Sequence, residues 1–134
     1  MLPKEAQWLL VLAHGAGAGM RHEFMSQISA RLAEEGIATF RYQFPYMEKN
    51  SSKRPDQKPT LLGTVRSAVA TAEKVSSGLP LLAGGKSMGG RMTSMAAAEE
   101  PLPNVRGLVF FGFPLHPAGQ PSTERADHLQ KVIV

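Results

Sequence analysis

The segment Gly85-Lys86-Ser87-Met88-Gly89 stands between an apolar run, Leu79-Pro80-Leu81-Leu82-Ala83-Gly84, and a helix-like stretch from Gly90 to Glu99. A serine held between glycines on a sharp strand-to-helix turn has the setting of a nucleophile. The turn is tight enough that flanking side chains would clash, and the serine Oγ is left exposed on a strained backbone. Such a hydroxyl performs acyl transfer only if a base accepts its proton and backbone donors hold the oxyanion of the tetrahedral intermediate. One donor is the Met88 amide, which follows Ser87 at the start of a helix, where unsatisfied N–H groups and the dipole favour negative charge. A second donor should come from the loop after a neighbouring strand. The glycine-rich run His14-Gly15-Ala16-Gly17-Ala18-Gly19 follows the first strand, and the Ala16 amide is the candidate there. His14 and Gly15, which open the run, are candidate oxyanion or substrate contacts.

The base has to come from a histidine, and there are four. His14 opens the glycine turn, where a structural hydrogen bond suits it best. His22 stands at the start of a helix, in a surface or capping position. His128 follows Asp127, but neighbouring helical residues point about 100° apart, so the two do not form a ready dyad. His116 follows the fourth strand and emerges on the same sheet edge as Ser87, which makes it the candidate base within the chain. Nucleotide-binding alternatives fail on spacing. Gly85-Lys86-Ser87 mimics the end of a P-loop, but the glycine required five positions earlier is Pro80. Gly15, Gly17 and Gly19 mimic a dinucleotide fingerprint until its third glycine falls on Met20. No cofactor is called for, and without cysteine there is neither a thiolate nor a disulfide.

These residues need a scaffold. Trp8 to Ala13 is apolar without alternation, the pattern of a strand buried on both faces, and Ile37 to Tyr42, the run before Ser87 and Val105 to Phe111 read as three further strands. Between them, Phe24, Ile28 and Leu32 recur at helical spacing, with Gly36 as the C′ residue. Leu61, Leu62, Val65, Val69 and Ala72 share another helical face, with Thr60 as N-cap. Residues 43–59 show no periodicity and read as a long loop over the Ser87 edge, where Tyr42, Phe44 and Tyr46 either wall an acyl site or pack into the core. Lys131-Val132-Ile133-Val134 reads as the start of a further strand. Strands alternating with helices predict a three-layer α/β/α arrangement around a parallel sheet, in a single domain spanning residues 1–134.

Four segments in order, Leu12 to Met20, Phe44-Pro45-Tyr46, Gly85 to Arg91 and Gly112-Phe113-Pro114-Leu115-His116-Pro117, resemble the α/β-hydrolase family, specifically the small predicted hydrolases related to dienelactone hydrolase. The resemblance covers almost the whole chain. It implies the α/β-hydrolase fold, a serine nucleophile at Ser87 and first and third strands side by side; it brings no defined substrate. In that fold the acid and then the histidine follow later strands. Only 47 of the 134 residues follow Ser87, so the resemblance implies a truncated α/β-hydrolase fold, an N-terminal portion lacking the acid and histidine loops.

Composition narrows the rest. Hydrophobic content of 43% and charged content of 19% are those of a globular protein. The net charge of +4 owes much to Lys49, Lys53, Arg54 and Lys58, which are scattered among Pro, Ser and Asn as in a solvated loop, so nucleic acid is not the expected partner. No apolar run reaches the ~20 residues of a membrane span, and the expected compartment is the cytoplasm. The expected partner is a small-molecule acyl substrate, with self-association through an exposed edge at the fourth strand. Two functions follow: a serine hydrolase of ester, thioester or similar acyl bonds, or a non-catalytic binding or scaffold protein that keeps the fold without the triad.

Overall fold

The four expected strands form, and all run parallel. In the computed structural model, which describes residues 5–15, 23–48, 57–112 and 124–132, they are β1 (Trp8–Ala13), β2 (Ile37–Tyr42), β3 (Leu81–Lys86) and β4 (Val105–Phe111). Their order across the sheet is β2-β1-β3-β4, and each pairing is parallel. Along β1, Leu9 to Ala13 are all buried, none more than 3% exposed. Covering on both faces is why that strand shows no polar alternation. β4, at one end of the described sheet, is only half-buried from Gly107 to Phe111.

The helices are α1 (Glu23–Glu34), α2 (Pro45–Glu48), α3 (Lys58–Val75) and α4 (Met88–Glu99), followed by a 3₁₀ helix over Glu124–Lys131. Successive strand residues point to opposite faces, and the two faces build separate cores. Leu9, Val11 and Ala13 share one with Leu61, Val65 and Val69 of α3 and Met92 and Ala96 of α4. Leu10 and Leu12 share the other with Phe24, Met25, Ile28 and Leu32 of α1. The layers are therefore α/β/α, as the alternation predicts. The two helices on the first face are also tied end to side: Arg66 of α3 donates from Nη2 to the carbonyls of Ala96 (2.6 Å) and Glu100 (2.7 Å). The Ala96 carbonyl already accepts the N–H of the C-cap residue Glu100 (3.2 Å), and Arg66 adds a second donor there while binding the Glu100 carbonyl just past the helix end.

Several boundaries differ from the sequence expectation, each for a local reason. Residues 43–59 are not all loop, because Pro45 opens the short helix α2 rather than merely ending β2. α3 begins before Thr60, with Gln57 at the N-cap and no side-chain capping bond; Pro59 is tolerated in the first turn, where its missing N–H would be unpaired anyway. Lys131 closes the 3₁₀ helix instead of opening a strand, and Val132 donates its N–H back to Leu129 (3.2 Å). Ile133, Val134 and His22 lie outside the described residues. Gly36 has φ +80°, the left-handed C′ geometry expected of it after α1. Among the described residues no helix is long and apolar enough to cross a membrane.

Candidate active site

β1 and β3 are neighbours, with Leu12 beside Gly84 and Ala13 beside Gly85. The loops leaving their carboxyl ends therefore emerge together. Strand order also reverses here, since β2 lies on one side of this pair and β4 on the other. Open parallel sheets leave a ligand crevice at such a point.

Ser87 joins β3 to α4 with φ 53° and ψ −115°. A side chain bearing Cβ pays about 1–3 kcal/mol for such a conformation, so the surroundings must enforce it. Its N–H donates to the Phe111 carbonyl at the end of β4 (3.1 Å), and its carbonyl accepts from the Arg91 N–H (3.1 Å), opening α4. The half-buried Ser87 hydroxyl makes no capping bond to the helix. The flanking glycines are required by space. A methyl group on Gly89 would lie 2.5 Å from the His14 carbonyl oxygen and 2.7 Å from Ala13 Cβ. One on Gly85 would run into the Ala13 carbonyl. The turn is thus pressed onto the end of β1, as the glycine pattern predicts.

That contact brings the two loops together. A methyl group on the buried Gly15 would stand 3.7 Å from Ser87 Cβ and 3.5 Å from the Lys86 carbonyl oxygen. Met88, also buried, is the first residue of α4, so its N–H has no acceptor within the helix and lies at the positive end of the dipole. Ser87, Met88, Gly15 and His14 are therefore gathered at one rim of the sheet. Ala16 and His116 lie outside the described residues.

His14 is wholly buried, and both ring nitrogens are engaged. Nδ1 lies 2.6 Å from the Gly15 carbonyl, and Nε2 lies 3.1 Å from the Phe44 amide nitrogen. An amide can only donate and a carbonyl only accept, so Nδ1 carries the proton and Nε2 is the acceptor in a neutral ring. Burial lowers the His14 pKa, partly opposed by the bond to Gly15, and keeps the ring neutral. The imidazole also meets Phe44 and Tyr46 edge-on, at centroid separations of 5.1 and 5.9 Å. His14 thus staples the glycine loop after β1 to the segment after β2, and Gly15 is held against Ser87 as a result. Tyr42, Phe44 and Tyr46 are buried in the core, which resolves their two readings in favour of packing. The Tyr42 pKa is pushed up by burial, partly offset by its hydrogen bond with Thr93, so the phenol stays protonated.

His128 is occupied elsewhere. Its Nε2 lies 2.6 Å from Ser94 Oγ on α4. The Ser94 hydroxyl proton goes to the Arg91 carbonyl (2.8 Å), so the imidazole Nε2–H donates to the serine oxygen. Asp127, next to it in the chain, acts on it electrostatically.

The family model for the alpha/beta hydrolase domain matches residues 6–134. The chain belongs to the α/β-hydrolase family. No curated protein sequence matches this hydrolase domain. Among solved structures, it is similar to dienelactone hydrolase from Anabaena variabilis ATCC 29413, at TM-score 0.67 and 22% identity, over 81% of this chain and 53% of that one. It is also similar to Est1E from Butyrivibrio proteoclasticus, solved with ferulic acid bound, at TM-score 0.69 and 23% identity, over 81% of this chain and 45% of that one. At these identities the likeness speaks for the fold. The hydrolase domain spans about half the length of the structures it matches.

The link from His14 to Phe44 was not readable in advance. A structural hydrogen bond was expected of His14, but its partner lies 30 residues away on another strand's exit, and no spacing rule signals a backbone amide donor so distant in the chain.

Proposed function

We propose that this α/β-hydrolase domain carries the nucleophile and oxyanion elements of a serine hydrolase acting on an ester, thioester or similar acyl bond. The carrying observation is the backbone of Ser87, φ 53° and ψ −115° between β3 and α4, with Gly15 packed against it. Ser87 Oγ attacks the carbonyl carbon, and the carbonyl π electrons move to oxygen. The Met88 N–H receives that oxyanion at the start of α4, with the Ala16 N–H as the second donor. The serine proton passes to a histidine, which returns it to the leaving group as the tetrahedral intermediate collapses. Neither His14 nor His128 suits that role, since each is bonded elsewhere. The base is therefore His116 or a histidine outside these 134 residues. The matched structures, about twice as long, leave room for the second alternative. The substrate is a small acyl compound, and the reading adds no cofactor.

A fluorophosphonate probe tests the reading directly, because it labels only an activated serine. The expected result is one labelled site, mapped to Ser87 by peptide mass spectrometry and absent in Ser87→Ala. A folded protein that includes the base and takes up no probe overturns it.

A second reading is a non-catalytic binding protein on the same fold. It is favoured by the engagement of both described histidines with partners other than Ser87. Turnover of an activated ester that disappears in Ser87→Ala excludes it.

A further inference from the structure

Beside the Ser87 turn, on the face of the sheet covered by α3 and α4, lies a cavity of 490 Å³ lined by Lys58, Arg91, Met95, Arg125, Asp127, His128 and Lys131. It is not the oxyanion rim, and it is assembled by three separate elements. Lys58 is the first residue of α3, Arg91 and Met95 lie on α4, and the other four come from the 3₁₀ helix. Two lysines and two arginines line it with a single carboxylate. Such an excess of one sign in a concave site raises the local concentration of anions.

Two observations show that the cations are close and under-compensated. Arg91 Nε is shielded from solvent and has no hydrogen-bond partner among the described residues, although a buried donor of this kind is normally satisfied. The guanidiniums also feel each other. The Arg91 pKa is lowered first by desolvation and then by the charge of Arg125. His128 is lowered by desolvation and by the charges of Lys58 and Arg91, with Asp127 opposing. The imidazole Nε2–H is already given to Ser94.

We propose that this cavity binds a compact, multiply charged anionic group, of the phosphate, diphosphate or polycarboxylate class. Concave walls and a volume within the usual range of small-ligand sites, about 300–1,000 Å³, suit a small molecule. Arg91 and Arg125 present planar donor forks that match phosphoryl and carboxylate oxygens in pairs, while Lys58 and Lys131 add point charges at the mouth. Position suggests the use. Arg91 lies four residues along α4 from Ser87, about 6 Å of helix rise, so an anion here is a handle on a substrate whose acyl bond lies at Ser87. That use rests on the hydrolase reading above; anion binding itself does not.

The test is calorimetric titration of the 134-residue chain with inorganic pyrophosphate at low ionic strength. Citrate and acetate serve as further titrants, separating phosphoryl from carboxylate ligands and multiple from single charge. Saturable one-site binding of pyrophosphate or citrate is expected, with acetate about tenfold weaker or worse. Arg125→Gln combined with Lys131→Gln, both on the 3₁₀ helix, weakens binding about tenfold. This pair keeps the test valid if Arg91→Gln, with its shielded Nε, fails to fold. Lys74→Gln, at the far end of α3, binds like the wild type. Absence of saturable binding below about 10 mM of either polyanion, or an equal loss in Lys74→Gln, overturns the proposal. A failed titration leaves fluorophosphonate labelling of Ser87 untouched, and failed labelling with intact binding leaves an anion site without serine chemistry.

Discussion

The Ser87 turn and the cationic cavity adjoin along the first turns of α4 but are built from different materials. The turn is made of backbone. Gly85 and Gly89 meet the Ala13 and His14 carbonyls directly, and Gly15 closes on Ser87 with no long side chain involved. The cavity is made almost entirely of side-chain ends, Lys58, Arg91, Arg125 and Lys131, carried by three elements far apart in the chain. A site of the first kind tolerates few residue types at fixed spacing, and it is rigid because displacing it means displacing strands. A site of the second kind accepts many sequences and adjusts by rotamer. The first is suited to positioning a reacting atom, the second to capturing charge.

If that contrast is right, the largest effect belongs to a single methyl group at the turn. Gly89→Ala should cost about 3 kcal/mol or more, read as a fall in urea unfolding midpoint, because the new methyl group would meet Ala13 and the His14 carbonyl at the end of β1. Gly63→Ala in α3, where nothing lies within 4 Å, should instead stabilise by about 1 kcal/mol. Equal effects at the two positions would mean that the turn is not sterically locked.

The staple comes next. His14→Ala strands the Phe44 N–H and the Gly15 carbonyl, at a cost of about 2–3 kcal/mol, and should slacken the loop beside Ser87 enough to slow probe labelling. Its titration gives a pH signature. His14 and His128 both have pKa values lowered in the folded state from 6.5, so below pH 6.5 the unfolded chain binds more protons than the folded one. Stability therefore falls as pH drops from 6.5 toward the folded values, by at most about 1.4 kcal/mol per pH unit for each histidine. Chemical denaturation between pH 7 and 5 should show this fall, and His14→Gln should shrink it. An unchanged slope would mean that the His14 imidazole does not contribute to the fall.

Strain at the nucleophile position is smaller. Ser87→Gly should raise stability by about 1 kcal/mol while abolishing labelling, since glycine accepts φ 53° without penalty. A loss of stability would show that the serine hydroxyl supports the fold. The smallest effect is expected in the cavity: Lys131→Gln should leave stability within about 0.5 kcal/mol of wild type. A substantial destabilisation there would make the charged lining a structural device rather than a ligand site.

Much of this molecule was legible from residue order alone. The unbroken apolar run of β1 and the strand-like stretches of β2 and β4 marked those strands to the residue, and Gly85, Ser87 and Gly89 announced the turn, because close backbone approach admits almost nothing but glycine. Even the adjacency of β1 and β3 followed from the family resemblance. Local boundaries were less readable where two signals compete: Pro45 can stop a strand or start a helix, and Pro59 fits a first turn as well as a loop.

What only the tertiary structure decided is which distant groups meet. That Phe44 offers its amide to His14, that Ser94 takes up His128, and that Lys58 faces Arg91 and Arg125 across a cavity depends on how α3, α4 and the 3₁₀ helix dock. Sequence pattern records which face of an element is apolar and where the backbone must turn, because those demands act on neighbouring residues. Hydrogen bonds and charge contacts between elements leave no period in the chain, since any donor, acceptor or long cation brought to the same place by packing could have made them.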